Sequence, residues 1–215
     1  MKLAHLAKQA WLSMRMRSSA DYWEQRYSLG MDSGAGSYGE LASYKAGFLN
    51  AFVASEGVRS VLELGCGDGN QLTLARYPSY LGLDVSRTAI DRNAERFRGQ
   101  ADKSFLWYDP ARSINLGAWL QADLVLSLDV IYHLVEDRTY RDYLQSLFGS
   151  ARRFVIIYSS DSDTANATRH VRHRKFTADV AREFPQFRLR EHVPNPHRAL
   201  TFADFYVYAR ATPAG

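Results

Sequence analysis

Val61-Leu62-Glu63-Leu64-Gly65-Cys66-Gly67-Asp68-Gly69-Asn70 decides the fold. An apolar run ends in a turn with glycine at alternate positions. An α/β sheet uses a strand that runs through such a turn into a helix to hold an anionic ligand at the carboxyl ends of its strands. The stretch therefore predicts a nucleotide-like ligand and a helix beginning near Gly69. A dinucleotide site also wants glycine at the sixth place of the turn, where helix and strand pack beneath a pyrophosphate. Asn70 stands there instead, which speaks against NAD and FAD. Ribose hydroxyls need a carboxylate at the tip of the next strand, roughly 20 residues on. Tyr80-Leu81-Gly82-Leu83-Asp84 supplies it.

Composition narrows the class. With 215 residues, 46% hydrophobic and 23% charged, the chain fits one domain with a full core, residues 1–215. Residues 1–56 are expected to form N-terminal helices and a lid, and residues 57–215 the sheet-containing core. A net charge of +4, from 27 basic and 23 acidic residues, is too small to argue for nucleic acid. Cys66 is the sole cysteine, so there is no disulfide framework and no metal cluster of cysteine spacing, and a cytoplasmic protein is expected. Leu3, Leu6, Ala10 and Met14 recur at helical spacing, which favours an amphipathic helix on the domain over a targeting peptide. No stretch reaches the ~18 apolar residues of a membrane span. Asn166-Ala167-Thr168 matches a glycosylation triplet that has no consequence in such a protein.

From residue 60 apolar runs alternate with helical patterns, as in a parallel sheet covered on both faces. Strands are expected near 60–64, 79–84, 103–108, 122–128 and 152–158, and helices from Ser86 and near Val135. Phe187 to Val193 and Phe202 to Ala209 are separated by too few residues for a crossover, so they must pair antiparallel. A helix over Phe176 to Phe184 precedes them. Before the first strand, Gly39 to Ala54 has helical period, a short helix capped by Ser19 or Asp21 carries Tyr22, Trp23 and Tyr27, and the glycine-rich segment Gly30 to Gly39 suits a hinged lid.

Glu63-Leu64-Gly65-Cys66-Gly67-Asp68-Gly69 resembles motif I of the class I S-adenosylmethionine (SAM) methyltransferases. The likeness extends from Tyr22-Trp23-Glu24-Gln25-Arg26-Tyr27 through Ser33 to Ala42 and on to Phe205, in the manner of compact bacterial members. It implies a doubly wound, Rossmann-like sheet of order 3-2-1-4-5-7-6 with an antiparallel C-terminal hairpin. It further implies SAM as cofactor and S-adenosylhomocysteine as product. On that likeness Glu63, Gly65, Cys66, Gly67, Asn70, Asp84, Val85, Leu128 and Tyr38 would surround the cofactor, and Asp109 would accept from the adenine amino group. Ser127-Leu128-Asp129-Val130-Ile131-Tyr132-His133-Leu134 resembles the motif IV region, beside the transferring methyl.

Methyl transfer asks mainly for alignment, yet an oxygen or nitrogen acceptor must lose a proton. A histidine of near-neutral pKa suits that role, so His133 is the candidate base and Asp129 the alternative. Arg169-His170-Val171-Arg172-His173-Arg174-Lys175 follows the fifth strand. With Tyr132, the residues His170, Arg172, His173 and Arg174 are candidates for an anionic acceptor, through guanidinium forks. The expected activity is methylation of an oxygen or nitrogen on a small molecule or saccharide, with no nucleic-acid partner. Methylation of a polyanion such as RNA, and a non-catalytic SAM-binding module, are the alternatives.

Overall fold

The computed structural model describes residues 12–108, 116–164 and 168–211. Leu3, Leu6, Ala10, Asp109, Asn166 and Ala167 lie outside them. Seven strands form one sheet: β1 (Val61–Leu64), β2 (Tyr80–Asp84), β3 (Lys103–Trp107), β4 (Ala122–Leu128), β5 (Ala151–Ser159), β6 (Phe187–Val193) and β7 (Asp204–Arg210). Their order is β3-β2-β1-β4-β5-β7-β6, as the resemblance implied. β1 through β5 pair in parallel, and β7 runs antiparallel to both β5 and β6.

The central strands are apolar on both faces because both are covered. On one face Leu62, Leu64, Val125 and Ile157 pack against α5 (Asp137–Gly149) and α6 (Phe176–Glu183). On the other, Val61, Leu126, Ile156 and Tyr158 meet Leu49, Phe52 and Val53 of α2 (Gly39–Ser55). α3 (Arg87–Arg96) begins at Ser86, whose hydroxyl accepts from the Ala89 amide at 3.1 Å. α4 (Leu116–Trp119) is a single short turn. α1 (Ser19–Ser28) is capped one residue earlier than the sequence suggested, by Ser18 accepting from the Asp21 amide.

One element departs from expectation. No α-helix follows the glycine turn: Gln71–Leu74 makes only a 3₁₀ turn, and an extended Ala75 leads away from it. The segment between β1 and β2 is short and carries Pro78, which leaves no length for a full helix and a return. The crevice therefore lacks the helix N-terminus that this junction usually presents. Its polar groups must come from the turn itself and from residues elsewhere.

Candidate functional site

The turn after β1 is bolted to the end of β2. The Gly65 and Cys66 amides both donate to the Leu83 carbonyl, at 2.7 and 3.0 Å. Asp84 accepts from the Gly67 amide and the Ser86 amide, each at 2.9 Å. Gly65 needs its missing side chain: its φ is +87°, and a Cβ there would meet Val130 at 2.5 Å. Asp84 is 5% exposed, and burial pushes its pKa up to about 6 despite those amides. Beneath the turn, Glu63 accepts from the Tyr80 hydroxyl at 2.7 Å, and burial raises its pKa to about 7. Burial also pushes the Cys66 thiol well up, so it is no nucleophile at neutral pH.

The glycine-rich segment lies over this turn and is fastened to it. Asp68 accepts from the Ser33 amide and the Tyr38 hydroxyl, both at 2.8 Å, while its own amide donates to Ser33 Oγ at 2.9 Å. Asn70 Nδ2 donates to the Ser37 carbonyl at 2.7 Å. Tyr38 and Asn70, expected on the cofactor, thus hold the lid to the turn, and neither lines the cavity beneath. That cavity has a volume of about 80 Å³. Its walls include Gly65, Cys66, Gly67, Asp84, Val85 and Leu128, which the sequence placed there, and Tyr27, Ser33 and Tyr108, which it did not.

A buried ion pair forms another part of the wall. Lys45 Nζ lies 2.6 Å from Asp129 Oδ2, with the lysine side chain 1% exposed and its ammonium 5.1 Å from the Tyr158 ring centre. Asp129 Oδ1 accepts from the Tyr132 hydroxyl at 2.7 Å. The aspartate has a φ of +60°, the sole positive value at a non-glycine among the described residues. Such strain persists only where surrounding contacts over-determine it. Both carboxylate oxygens are committed, which weakens Asp129 as a base. Nearby, Gln71 donates to the Ala42 carbonyl, but its buried Oε1 has no partner, leaving an acceptor open in the cavity wall. Lys45 was legible in principle: it interrupts the apolar stripe of α2, four residues from both Leu41 and Leu49.

His133 also lines the cavity. Its Nδ1 sits 3.0 Å from the His170 carbonyl. A carbonyl only accepts, so Nδ1 carries the proton and Nε2 keeps its lone pair. Burial pushes the His133 pKa down to about 4, well below the near-neutral value the sequence suggested.

The basic run is engaged with the chain around it. Arg174 donates to the Leu134 carbonyl at 2.6 Å and the Val135 carbonyl at 3.2 Å, and pairs with Asp137 at 3.2 Å. Arg172 donates to the Val135 carbonyl at 3.0 Å, pairs with Asp137 at 2.9 Å, and its amide meets the Tyr132 carbonyl at 2.7 Å. The Ser160 hydroxyl and His173 Nδ1 lie 2.7 Å apart, and His170 stacks on Tyr22 at 4.5 Å. None of these four basic residues, nor Tyr132, lines the cavity. They strap down the segment that carries His133.

A parallel sheet of this order, closed by an antiparallel hairpin and carrying a crevice over the ends of β1, β2 and β4, is the class I methyltransferase fold. Residues 62–154 match a family model described as a methyltransferase domain. Among solved structures, magnesium protoporphyrin IX methyltransferase (ChlM) from Synechocystis PCC 6803 with bound S-adenosylhomocysteine superposes with a TM-score of 0.65. It is 17% identical and covers 89% of this chain and 98% of its own. The N-methyltransferase NodS from Bradyrhizobium japonicum WM9, also with S-adenosylhomocysteine, gives 0.61 at 18% identity over 79% of this chain and 86% of its own. The methyltransferase domain of bacterial CtHen1-C gives 0.62 at 19% identity over 79% and 98%. No curated protein matches the chain.

Proposed function

We propose that this protein is a SAM-dependent methyltransferase acting on an oxygen or nitrogen of a small molecule or saccharide, and that the whole chain works as one cytoplasmic domain. The observation that carries the reading is the buried Asp84 at the tip of β2, facing a cavity floored by the turn after β1, within the segment that matches a methyltransferase domain.

The residues present fit the cofactor. Asp84 keeps lone pairs for ribose hydroxyls, and Val85 and Tyr108 offer an apolar wall for a base. The methionine end is a zwitterion, and the cavity holds a matching set: Lys45 for a carboxylate, with Asp129 and the unpartnered Gln71 Oε1 for an ammonium. Bound there, SAM would supply an activated methyl group. The protein's own part is alignment, exclusion of water beneath the lid, and acceptance of a proton at His133 Nε2. A polyanionic acceptor fits less well, because Arg172 and Arg174 are spent on Asp137 and on backbone carbonyls.

Calorimetry with SAM, S-adenosylhomocysteine and NAD tests the reading. The first two should bind and NAD should not. Asp84→Ala should weaken binding by about 1–3 kcal/mol, since buried hydroxyl donors lose an acceptor. Affinity should also decline as pH falls through about 6, because the Asp84 carboxylate then takes up a proton. Tight NAD binding with silence towards SAM would overturn the proposal.

A further inference from the structure

The glycine-rich segment rests on two carboxylates. One is Asp68, which takes Ser33 and Tyr38. The other is Asp129: a Cβ on Gly36 would stand 2.7 Å from Asp129 Oδ2 and 3.2 Å from its carboxyl carbon. The φ of Gly36 is not positive, so its backbone does not call for glycine; the contact with the carboxylate does. Gly36 is the middle residue of a 3₁₀ turn, Ala35–Ser37. On either side of that turn Gly34 and Gly39 have φ of +94° and +57°, conformations that other residues rarely adopt. Ser33 and Ser37 line the cavity, so the turn faces it.

The oxygen beneath Gly36 also holds Lys45, and Lys45 is poorly satisfied. An ammonium has three protons to donate. Among the described residues Asp129 is its one hydrogen-bond partner, and the Tyr158 ring is its cation–π contact. Gln71, held through Nε2 to Ala42 on the same helix, leaves its buried Oε1 unpartnered. Lys45, Gln71 and Asp129 all line the cavity. With the segment down, the wall thus keeps donors without an acceptor and an acceptor without a donor, a state that folded proteins seldom leave unmet.

We infer that the amino-acid end of the ligand shuts this segment, its carboxylate on Lys45 and its ammonium on Gln71 Oε1 and on Asp129, the group on which Gly36 rests. The inference rests on the methyltransferase reading and adds to it the part of the ligand that controls closure. A ligand shifts a conformational equilibrium only by what it binds better in one of the two states. With the segment lifted, water satisfies Lys45 and Gln71. With it down, a zwitterion does so and a bare nucleoside does not.

The test measures hydrogen exchange of the amides in residues 30–39 of the full-length protein. Two ligands are compared at equal occupancy, set by calorimetry: S-adenosylhomocysteine, and methylthioadenosine, which keeps the nucleoside and lacks the amino-acid end. Relative to methylthioadenosine, S-adenosylhomocysteine should slow exchange by about tenfold, the shift that one extra charge-assisted contact supports. Gly36→Ala, whose methyl group meets Asp129, should erase that protection. Its affinity for methylthioadenosine should stay within about twofold of wild type, the usual range for a partly exposed substitution, which also shows that the variant is folded. Equal protection by the two ligands overturns the inference and leaves the methyltransferase reading standing, and protection that survives Gly36→Ala does the same. Should the variant not fold, the wild-type comparison decides alone. If neither ligand binds, the methyltransferase reading fails and the inference fails with it.

Discussion

At His133 two neighbours decide where the proton goes. The His170 carbonyl fixes it on Nδ1, and burial keeps the ring neutral down to about pH 4. The base should therefore be ready across the whole physiological range, with the acid limb of the turnover profile near pH 4 and not near 6.5. His133→Ala should lower turnover by about 10²-fold, the low end for a positioned base, because a base whose pKa lies far below the working pH accepts protons weakly. S-adenosylhomocysteine affinity should hardly change. Stability follows the same shift with a worked sign. Between about 4 and 6.5 the unfolded chain binds the histidine proton and the folded one does not, so this residue makes stability rise with pH through that window. Turnover within threefold of wild type in a folded His133→Ala protein would move the role elsewhere. The sequence pointed to His133 because it follows β4 immediately. Its depressed pKa was not legible, since Trp23 and His170, which enclose it, come from distant parts of the chain.

Among elements, the lid and the lost helix belong together. Gln71 to Ala75 reads as helix-compatible residue by residue, and only the shortness of the link to β2 shows that a helix cannot form. In its place the turn gains support from outside: Asp68 and Asn70 hold the lid, and Asn93 of α3 donates to the Gly67 carbonyl at 2.7 Å. The glycine content of residues 30–39 announced a mobile segment; what it could not announce was the latch, which depends on Asp68 meeting Ser33 and Tyr38 from 35 and 30 residues away. On the reading of this segment as a lid, ligand exchange breaks the latch. Asp68→Ala removes the acceptor shared by two donors, and at about 0.5–1.5 kcal/mol for each bond lost the release of S-adenosylhomocysteine should quicken by roughly tenfold. Proteolysis within residues 30–39 should rise in parallel, and the bound product should protect them less. An unchanged release rate in stopped flow would show that this lid does not gate exchange. The basic run makes the complementary point. Its composition was plain, but its partners at residues 134–137 were not: Arg172 and Arg174 hold the chain beside His133.

Across the whole molecule the sheet was the most legible feature, because buried parallel strands are continuous apolar runs bounded by turns, and those boundaries fell within about two residues of the observed ones. The cavity was less legible, because its walls join the N-terminal segment to residues scattered from 63 to 139. Glu24 of α1 accepts from the Ser86 and Thr88 hydroxyls at the start of α3, each at 2.6 Å, and Arg92 reaches back to the Met31 and Tyr27 carbonyls. Ser19 ties α1 to Glu136 just before α5. With so many polar ties between residues 12–56 and the rest of the described chain, the N-terminal segment has little reason to unfold separately. One cooperative transition is expected in calorimetry. A ligand held between the two parts then stabilises both: at a hundred times its dissociation constant it adds about 2.7 kcal/mol. At roughly 2–4 °C per kcal/mol for a domain of this size, the single midpoint should rise by about 5–11 °C. A chain whose N-terminal segment were merely appended would behave differently. It would show an early transition that S-adenosylhomocysteine moves and a later one that it does not, and that pair of transitions would refute the single-domain account.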